Sequence, residues 1–507
     1  MSLPPAPTET EDTSLRGGRL GVVGIVFYVV AAASPLVGMT GALPVATVLG
    51  NGAAVPGAYL AAGIVLLLFS VGYAAMSQRV TNTGAFFAYV GRGLGIGPGV
   101  GSAYTSLVAY LAIQLAIYGF FGAVMAGQMN AKLGIDLSWW AWTLIAWAVV
   151  LLLSAFSVDV GAKVLGVLML LEIASLALVS IAVFVQGGGP EGIDFGASFA
   201  PDKILVGGLS GSAGIALAFA FASFVGFEAT AIYGEESKDP KRTVPLATYL
   251  AVTIITVLFA VTTFAVISAL GASAAVEETV KRSSVDGVPL ADSAAVIFSV
   301  ADEYVGGWLS DLMSWLVLSS LFAGMLAFQN SAARYFFSMG RAGVLPSRLD
   351  RVNAAGAPLL GSVVTSVITG VVIVLFAVTD KDPVLNLFFW FSGLAVVAIV
   401  LVEFLVCFAV MAFFRRHPHE LSPWKTTIAP ILAAIGLLVG EYLLMSRFGL
   451  LAGTVADGVD PTAQAWGLNF LGYTLVFLPF IVFVLGTIVG SARRKGENAA
   501  AVADLVG

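Results

Sequence analysis

The stretch Ala33-Ser34-Pro35-Leu36-Val37-Gly38-Met39-Thr40-Gly41-Ala42-Leu43-Pro44 lies in the middle of a long apolar segment, residues 21–49. Two prolines and two glycines fall within its last ten residues, so an unbroken helix is not expected there. In lipid, the backbone N–H and C=O groups that a break releases must line a cavity or contact other protein groups. The stretch therefore predicts an interrupted membrane helix.

The composition of the whole chain indicates a membrane protein. Of 507 residues, 24 are Lys or Arg and 30 are Asp or Glu, so charged residues make up 11%, against roughly 25% in soluble domains. Apolar residues account for 59%, and the mean hydropathy is +0.97. A soluble globular fold is excluded, because it would need more charge to cover its surface. The only cysteine is Cys407 and the only histidines are His417 and His419, so neither a disulfide nor a thiolate metal cluster is expected, and no cofactor.

Twelve apolar stretches are long enough to cross a bilayer, since about 20 helical residues span the roughly 30 Å hydrocarbon core. With the N-terminus in the cytoplasm, eighteen of the 24 Lys and Arg residues fall on the cytoplasmic side, which predicts a cell-membrane protein with both termini inside. Residues 1–19 are predicted to be a disordered cytoplasmic tail, and residues 491–507 a second cytoplasmic tail. We number the predicted spans 1 to 12 in chain order: 21–49, 56–76, 101–127, 139–156, 164–186, 212–234, 247–269, 305–335, 358–378, 386–413, 427–446 and 467–490.

A second interruption is predicted in span 6, where Ala222-Ser223-Phe224-Val225-Gly226-Phe227-Glu228-Ala229-Thr230 places a glycine and an acidic residue in mid-membrane. Because five spans separate the two interruptions, spans 1–5 and 6–10 form two sets of opposite orientation. Paired broken helices in inverted repeats point to a secondary transporter. The N-terminus of a half-helix attracts a carboxylate, and the carbonyls of a half-helix C-terminus attract an ammonium group or a cation. The alternative is that Pro35 and Gly226 only kink packed helices.

Three blocks of sequence resemble the amino acid–polyamine–organocation (APC) transporter superfamily. The block Gly226-Phe227-Glu228-Ala229-Thr230-Ala231-Ile232-Tyr233-Gly234-Glu235-Glu236-Ser237-Lys238-Asp239-Pro240-Lys241-Arg242-Thr243-Val244-Pro245 resembles its sixth-helix signature. Ser338-Met339-Gly340-Arg341-Ala342-Gly343-Val344-Leu345-Pro346, followed by Gly356-Ala357-Pro358, is similar to its loop after helix 8, and Thr83-Gly84-Ala85-Phe86-Phe87-Ala88-Tyr89-Val90 to its loop after helix 2. The resemblance implies an all-α fold with a five-plus-five inverted-repeat (LeuT-like) core. Residues 20–186 and 210–414 would be the two repeats, and residues 425–490 would be peripheral.

The resemblance also implies a substrate site between the two breaks. Residues 35–41 would be the unwound part of span 1, with the N–H groups of Met39, Thr40 and Gly41 facing a substrate carboxylate. The carbonyls of Ala222 and Val225 would face a substrate amine, and span 3 would form a wall. The full set of candidate binding residues is Ser34, Pro35, Leu36, Val37, Gly38, Met39, Thr40, Gly41, Tyr110, Gln114, Tyr118, Ala222, Ser223, Phe224, Val225, Gly226 and Phe227.

The sequence departs from the family pattern in spans 1 and 5. Val-Gly-Met-Thr-Gly stands where many members carry Gly-Ser/Thr-Gly, and Glu172 stands in span 5 where many members carry a Lys that substitutes for a sodium ion. A carboxylate cannot play that part. One of Phe219, Phe221, Phe224 and Phe227 on span 6 is expected to act as a gate over the site.

Three acidic residues lie deep in predicted spans, where an ionisable group is a functional candidate by default. Glu172 is nine residues inside span 5, or about 13 Å deep at 1.5 Å per residue. Burial without a cation favours a protonated carboxyl group, as a proton carrier requires. Glu172 and Glu228 are the candidates for proton coupling, although Glu228 could instead accept hydrogen bonds from unwound backbone. Glu403 in span 10 could snorkel or pair with Arg415 or Arg416.

Other polar residues in the spans allow further interpretations. Ser319 and Ser320 on span 8 could form a sodium site together with carbonyls of span 1, or could simply bond to the preceding turn of their own helix. Asp311 and Glu441 lie near the outer face and are expected to be solvated.

These observations predict a proton-coupled secondary transporter of amino acids or related amines, with lipid and a small molecule as its partners and no nucleic acid. A sodium-coupled symporter or an exchanger of the same fold is the alternative. A channel or a transporter-like sensor is the alternative from another class, and an enzyme is not expected because no catalytic cluster is visible. The substrate, the coupling ion and the oligomeric state stay open.

Overall fold

The computed structural model describes residues 18, 20–80, 85–155, 159–234 and 236–493. The two predicted tails lie almost wholly outside this part of the chain, as do residues 83, 84 and 235 of the blocks quoted above. The described residues form helices joined by turns and loops, with three isolated β-bridges and no strand among them. The longer helices are Val22–Ala33, Val55–Ser77, Ala85–Leu94, Ile96–Leu133, Trp139–Ser154, Asp159–Val185, Ala213–Ala222, Pro240–Leu270, Ala275–Ser283, Ala295–Tyr304, Gly307–Arg341, Leu359–Val378, Phe389–Arg416, Ala429–Ser446 and Phe470–Arg493.

The length and composition of these helices make the chain a multi-pass membrane protein. Nine helical stretches of the described chain are long and apolar enough to cross a bilayer, and ten if one bent pair, Pro201–Ser210 with Ala213–Ala222, is one span. The first stretch, Val22–Ser77, runs for 56 residues, which is far more than one crossing needs. Trp139–Ser154 is a shorter apolar helix. The all-α membrane fold is thus confirmed, and the count of twelve spans stays a prediction.

The helices pack in pairs across the two predicted sets. The helix of span 2 packs on that of span 7, span 3 packs on span 8, and span 4 packs on span 9. Span 1 contacts span 7 and span 8. Each of these pairs joins residues far apart in the sequence, so the core is built from non-local contacts.

Glycines allow the last helix to approach span 3 closely. A Cβ on Gly486 would lie 2.9 Å from the Cα of Gly101, and one on Gly490 would lie 3.2 Å from the Cα of Gly97. On each helix the two glycines are four residues apart, which is the small-xxx-small spacing that brings membrane helices together. Span 12 is therefore attached to the core along span 3, which holds one wall of the candidate site.

Candidate functional site

The helix of span 1 breaks at a single residue, Ser34. Val22–Ala33 ends there, and Ser34 adopts the left-handed conformation with φ 46° and ψ 70°. This conformation is uncommon for a residue other than glycine. The Ser34 hydroxyl lies 3.1 Å from the carbonyl of Ala31 and 3.2 Å from that of Ser320 in span 8. The break is therefore fixed to the neighbouring helix.

The break lies before the segment predicted to be unwound. Pro35–Val37 is α-helical and Gly38–Ala42 is a π-helix, so the expectation that residues 35–41 are unwound was wrong. A proline fits the first turn of a helix, where its missing N–H is not needed. The two glycines serve close packing instead. A Cβ on Gly38 would overlap the ring of Phe259, and one on Gly41 would lie 3.2 Å from Phe120.

This geometry changes which backbone groups are available in span 1. Met39, Thr40 and Gly41 lie within a helical turn, so their N–H groups do not stand at an open helix end as predicted. The N–H groups of Val37 and Gly38 donate to the carbonyl of Ser34. The first N–H after the break, that of Leu36, lies beside the carboxyl group of Glu172.

Glu172 and the paired serines of span 8 meet at the break in span 1. Glu172 is 2% exposed, and its carboxyl group lies close to the hydroxyls of Ser320 and Ser319. Neither Glu172 Oε2 nor Ser320 Oγ makes a hydrogen bond of standard geometry, whereas Ser319 Oγ donates to the carbonyl of Leu316 at 2.7 Å. Buried oxygen atoms without partners are suited to bind a proton or a small cation.

The helix of span 6 breaks over a longer segment. Ala213–Ala222 is followed by turns at residues 223–228 and by the short helix Ala229–Ile232. Gly226 has φ +109°, and a Cβ there would lie 2.8 Å from the Cβ of Ala32. The two predicted breaks are therefore neighbours in space, and only glycine fits their closest approach.

Glu228 satisfies the backbone of this break. Its Oε2 accepts a hydrogen bond from the N–H of Gly226 at 2.9 Å, and its Oε1 accepts one from the hydroxyl of Tyr110 at 2.6 Å. The hydroxyl of Tyr73 donates to the Glu228 carbonyl at 2.9 Å. Glu228 is completely buried, so the geometry favours the structural alternative for this residue. Both oxygens of its carboxyl group therefore accept a hydrogen bond, one from the break in span 6 and one from span 3.

The two carbonyls predicted to face an amine differ. The Ala222 carbonyl accepts a hydrogen bond from the N–H of Val225 at 3.1 Å. Among the described residues, no backbone N–H donates to the carbonyl of Val225. Ser223 uses its hydroxyl locally, at 2.9 Å from the carbonyl of Phe219 and 3.3 Å from the hydroxyl of Tyr59. Val225 is thus the better placed of the two candidates.

The three predicted residues of span 3 do not share one environment. Tyr110 faces the break in span 6, whereas the side-chain amide of Gln114 donates to Gln329 on span 8 at 2.7 Å. Gln329 in turn donates to the hydroxyl of Ser366 on span 9 at 2.9 Å. Tyr118 is buried, and its carbonyl accepts from Thr143 on span 4. Only Tyr110 therefore reaches the place where the breaks meet.

Helix geometry explains this divergence. At 3.6 residues per turn, a step of four residues rotates a side chain by about 40°, so two steps from Tyr110 carry Tyr118 well round the helix. Two residues that the sequence pattern did not single out, Ile117 and Phe120, face span 1 instead. Ile117 lies 3.3 Å from where a Gly324 Cβ would be, next to Ser34, and Phe120 contacts Gly41. The spacings of seven residues from Tyr110 and three residues from Gln114 could have identified Ile117.

Four phenylalanines of span 6 were candidates for a gate, and they have different surroundings. Phe219 lies 6.3 Å from Phe388, and Phe388 stacks on Phe120 at 4.9 Å, by ring centroids. Phe227 packs edge-on to Phe69, and Phe221 covers Gly440 of span 11. Phe224 is buried. Phe219 alone of the four joins rings that also contact Gly41, so it is the best placed gate.

The start of span 1 and the end of span 6 are joined by a group that we call the Arg334 latch: Tyr28, Tyr233, Glu236 and Arg334. The Arg334 Nε lies 2.9 Å from Glu236 Oε1, and the two side chains are 4% and 15% exposed. The Arg334 guanidinium lies 4.7 Å from the centre of the Tyr233 ring, which stacks on Tyr28 at 5.2 Å. Leu20 also forms a β-bridge with Ser237. These contacts hold the start of span 1 and the end of span 6 against span 8.

The surroundings of three further acidic residues, Asp311, Glu403 and Glu441, can be compared with the expectations for them. Asp311 is exposed and lies 3.2 Å from Lys132, as expected for a residue at the surface. Glu441 is only 7% exposed, so the expectation that it is solvated was wrong, because span 11 turns it towards spans 6 and 10. Glu403 is 3% exposed and pairs with neither arginine in the described chain. Arg416 donates to the carbonyl of Gly93 instead.

Comparison with known proteins gives a consistent result. Residues 24–498 match the family model described as amino acid permease. The chain is 26% identical over 400 residues to the branched-chain amino acid permease BcaP of Lactococcus lactis, covering 75% of this chain and 79% of that protein. It is 28% identical over 273 residues to a histidine permease of Saccharomyces cerevisiae, covering 52% and 43%. It is 22% identical over 439 residues to the amino-acid permease GAP5 of Candida albicans, covering 85% and 67%.

Proposed function

The chain belongs to the amino acid permease family, and from this premise we propose that it is a proton-coupled secondary transporter of amino acids or related amines. The observation that carries the proposal is the meeting of two broken helices at Ala32 and Gly226, with the buried Glu172 beside one break and Glu228 at the other. Broken helices that meet at mid-membrane are the binding element of secondary transporters.

The arrangement supports an inverted-repeat core of twelve spans. Spans 2 and 7, 3 and 8, and 4 and 9 occupy matching places in the two sets, and each pair is in contact. If the stretch Val22–Ser77 is counted as two spans, and the bent pair and the short helix Trp139–Ser154 as one each, nine becomes twelve. The repeats are then residues 20–186 and 210–414, with residues 425–490 outside them. Rocking of spans 1 and 6 against spans 3 and 8 would expose the site to each side in turn.

The location follows from the charge distribution. Eighteen of 24 basic residues lie on the side of the N-terminus when the spans alternate, which supports a cell-membrane protein with both termini in the cytoplasm. The Arg334 latch then lies at the cytoplasmic end of the path. We propose that its contacts close this end of the path in the conformation described.

Glu172 is proposed to carry the coupled proton. Its carboxyl group is buried beside the Leu36 N–H and the Ser319 and Ser320 hydroxyls, with no Lys or Arg hydrogen-bonded to it in the described chain. A buried carboxylate without a cation is costly, whereas the protonated form is not. Protonation would therefore favour the packed break in span 1, and loss of the proton would weaken it. A sodium ion held by the same oxygen atoms is the alternative.

The substrate class is proposed from the surroundings of the breaks. Among the described residues, Ile117 and Phe120 approach span 1 near its break, and the buried Glu172 and Glu228 lie at the two breaks without a hydrogen bond from a Lys or Arg. A neutral amino acid or a cationic amine therefore suits the site, and an anion does not. The substrate amine would lie near the carbonyl of Val225. Two of the relatives are named as permeases for substrates of this kind, one for branched-chain amino acids and one for histidine.

Transport in liposomes tests the proposal. The protein reconstituted into proteoliposomes should show counterflow of an amino acid or amine that first raises its melting temperature, and uptake should carry protons inward. Glu172→Gln should abolish proton uptake while counterflow persists. Glu278→Gln, on the exposed helix Ala275–Ser283, is the matched control and should behave as the wild type.

Each other outcome decides against one part of the proposal. Wild-type proton uptake in Glu172→Gln would exclude Glu172 as the carrier. Uptake that depends on sodium and not on pH would replace the proton by a sodium ion. Absence of counterflow for every ligand that raises the melting temperature would favour a sensor.

A further inference from the structure

Span 11 packs closely against the part of span 6 that precedes the break in span 6. A Cβ on Gly440 would lie 2.6 Å from the ring of Phe221, and one on Gly214 would overlap the backbone of Leu443. Arg447, at the end of span 11, donates to the carbonyl of Ser210, just before the helix Ala213–Ala222. Although span 11 is outside the proposed repeats, it is attached along the whole first half of a substrate helix.

This attachment brings a second pair of acidic residues behind span 6. Glu441 follows Gly440 directly, and both of its carboxyl oxygens are buried without a hydrogen bond. Glu403 on span 10 is also buried, and its carboxyl group interacts electrostatically with those of Glu228 and Glu441.

The register of spans 10 and 11 agrees with this proximity. Val410 and Pro430 both contact the position of Gly72, so they mark the same level of the two packed helices. From that level, Glu403 is seven residues and Glu441 eleven residues towards the other side, or about 10 Å and about 16 Å at 1.5 Å per residue. The two acidic residues therefore differ by about one helical turn in height.

The groups around the pair leave both charges without compensation. The titratable side chains that face this region lie on several packed helices: Glu228 on span 6, Cys407 one turn from Glu403, Tyr59 and Tyr73 on span 2, Tyr89 and Arg92 on the helix Ala85–Leu94, Tyr104, Tyr110 and Tyr118 on span 3, and Tyr442 and Arg447 on span 11 and at its end. Tyr59 and Tyr73 already donate within span 6, and neither acidic residue has a Lys or Arg partner in the described chain. Two adjacent carboxylates with a third nearby cannot all be ionised at low cost.

We propose that Glu403 and Glu441 form a second proton-binding site, behind span 6 and separate from Glu172. Buried carboxyl groups without a cationic partner are less costly in the neutral form, so each member of the pair can hold a proton. Because Glu403 lies on span 10 whereas Glu228 lies on span 6, movement of span 6 relative to span 10 would change the distance between Glu403 and Glu228. The site would add a second pH dependence to transport, and in this respect it rests on the proposed function.

Infrared spectroscopy tests the site without any transport. The full-length protein in lipid should show the C=O band of protonated carboxylic acids at a pH where exposed carboxyl groups are ionised. Glu403→Gln and Glu441→Gln should each remove part of this band and change the pH at which the remaining group loses its proton. Glu278→Gln is the control and should leave the band intact. Because the readout needs no substrate, failure of the proposed transport would not affect it.

Three results would overturn the proposal. A band unchanged by both substitutions would show that these groups are ionised. Losses that simply add in the double variant, with unchanged titration of each group, would show two independent acids. Removal of the band by sodium would assign the pair to a cation. If Glu441→Gln does not fold, Glu403→Gln decides by the same criteria.

Discussion

The breaks in spans 1 and 6 occupy corresponding places, but their backbones are stabilised differently. The break in span 1 is a single left-handed residue, Ser34, after which the helix restarts at Pro35. The break in span 6 covers residues 223–228, where the Glu228 carboxyl group accepts from the Gly226 N–H and from Tyr110, and Tyr73 donates to the Glu228 carbonyl. Beside the first break, Glu172 Oε2 and Ser320 Oγ have no hydrogen bond.

This difference separates a structural acid from a responsive one. Both carboxyl oxygens of the buried Glu228 already accept a hydrogen bond. Glu172 lies close to donors but does not use them fully, so a small change of geometry or protonation alters its interactions. We therefore expect substitutions at span 6 to affect stability first, and substitutions near Glu172 to affect coupling first.

The largest effect is expected for the latch that joins both helices. Arg334→Met leaves Glu236 buried without its partner, and breaking such a pair costs about 3–5 kcal/mol. The latch should then open. With Tyr28→Cys introduced in a Cys407→Ala background, the thiol at position 28 should react faster with a thiol reagent when Arg334→Met is added.

Arg282→Met is the matched control for the latch. It removes ion pairs with Glu278 and Glu303 that are more exposed, for which about 0–1 kcal/mol is typical. In the same background it should leave the labelling rate at position 28 unchanged. Equal labelling rates with Arg334→Met and with Arg282→Met would mean that the latch does not hold the path closed.

Glu228→Ala should have the next largest effect. It removes the acceptor of two hydrogen bonds, each of which contributes about 0.5–1.5 kcal/mol. Tyr110→Phe removes only one of them and should destabilise about half as much. The free energy of unfolding in denaturant measures both, and equal losses would show that Gly226 gains nothing from Glu228.

Gly226→Ala tests the contact between the two breaks. Residue 226 has a positive φ, and the added Cβ would lie 2.8 Å from the Cβ of Ala32. We therefore expect the substitution to lower the free energy of unfolding by about 1–3 kcal/mol. Gly127 lies in a helix with open space around it, so Gly127→Ala should raise the free energy of unfolding by about 0.5–1 kcal/mol. Thermal unfolding compares the two, and a neutral Gly226→Ala would mean that the breaks can separate freely.

The smallest effect is expected at Ser34. Ser34→Ala removes the hydrogen bond of the hydroxyl and keeps the left-handed strain, at a cost of about 1 kcal/mol. Ser34→Gly also loses the bond but relieves the strain, so it should be the more stable variant. The opposite order of melting temperatures would show that the left-handed conformation at position 34 does not strain a residue that has a Cβ.

Much of this arrangement could be read from residue types alone. The positions of both breaks were predicted to within a few residues, and Tyr110, Glu172 and Glu228 were identified as residues of interest. The conformation of Ser34, the scaffold contacts of Gln114 and the roles of Ile117 and Phe120 were not, because each depends on which neighbouring helix lies opposite. The expectation that Glu441 is solvated was wrong for the same reason.

The sequence by itself determined that this chain is an all-α membrane protein with interrupted helices. Lipid offers no hydrogen bonds, so apolar length and the placement of proline and glycine decide where helices can run and where they must break. Only the tertiary structure decided that Gly226 meets Ala32, that Glu228 is satisfied and Glu172 is not, and that span 11 buries Glu441 behind span 6. These are contacts between residues far apart in the chain, and helix rotation and close packing fix them.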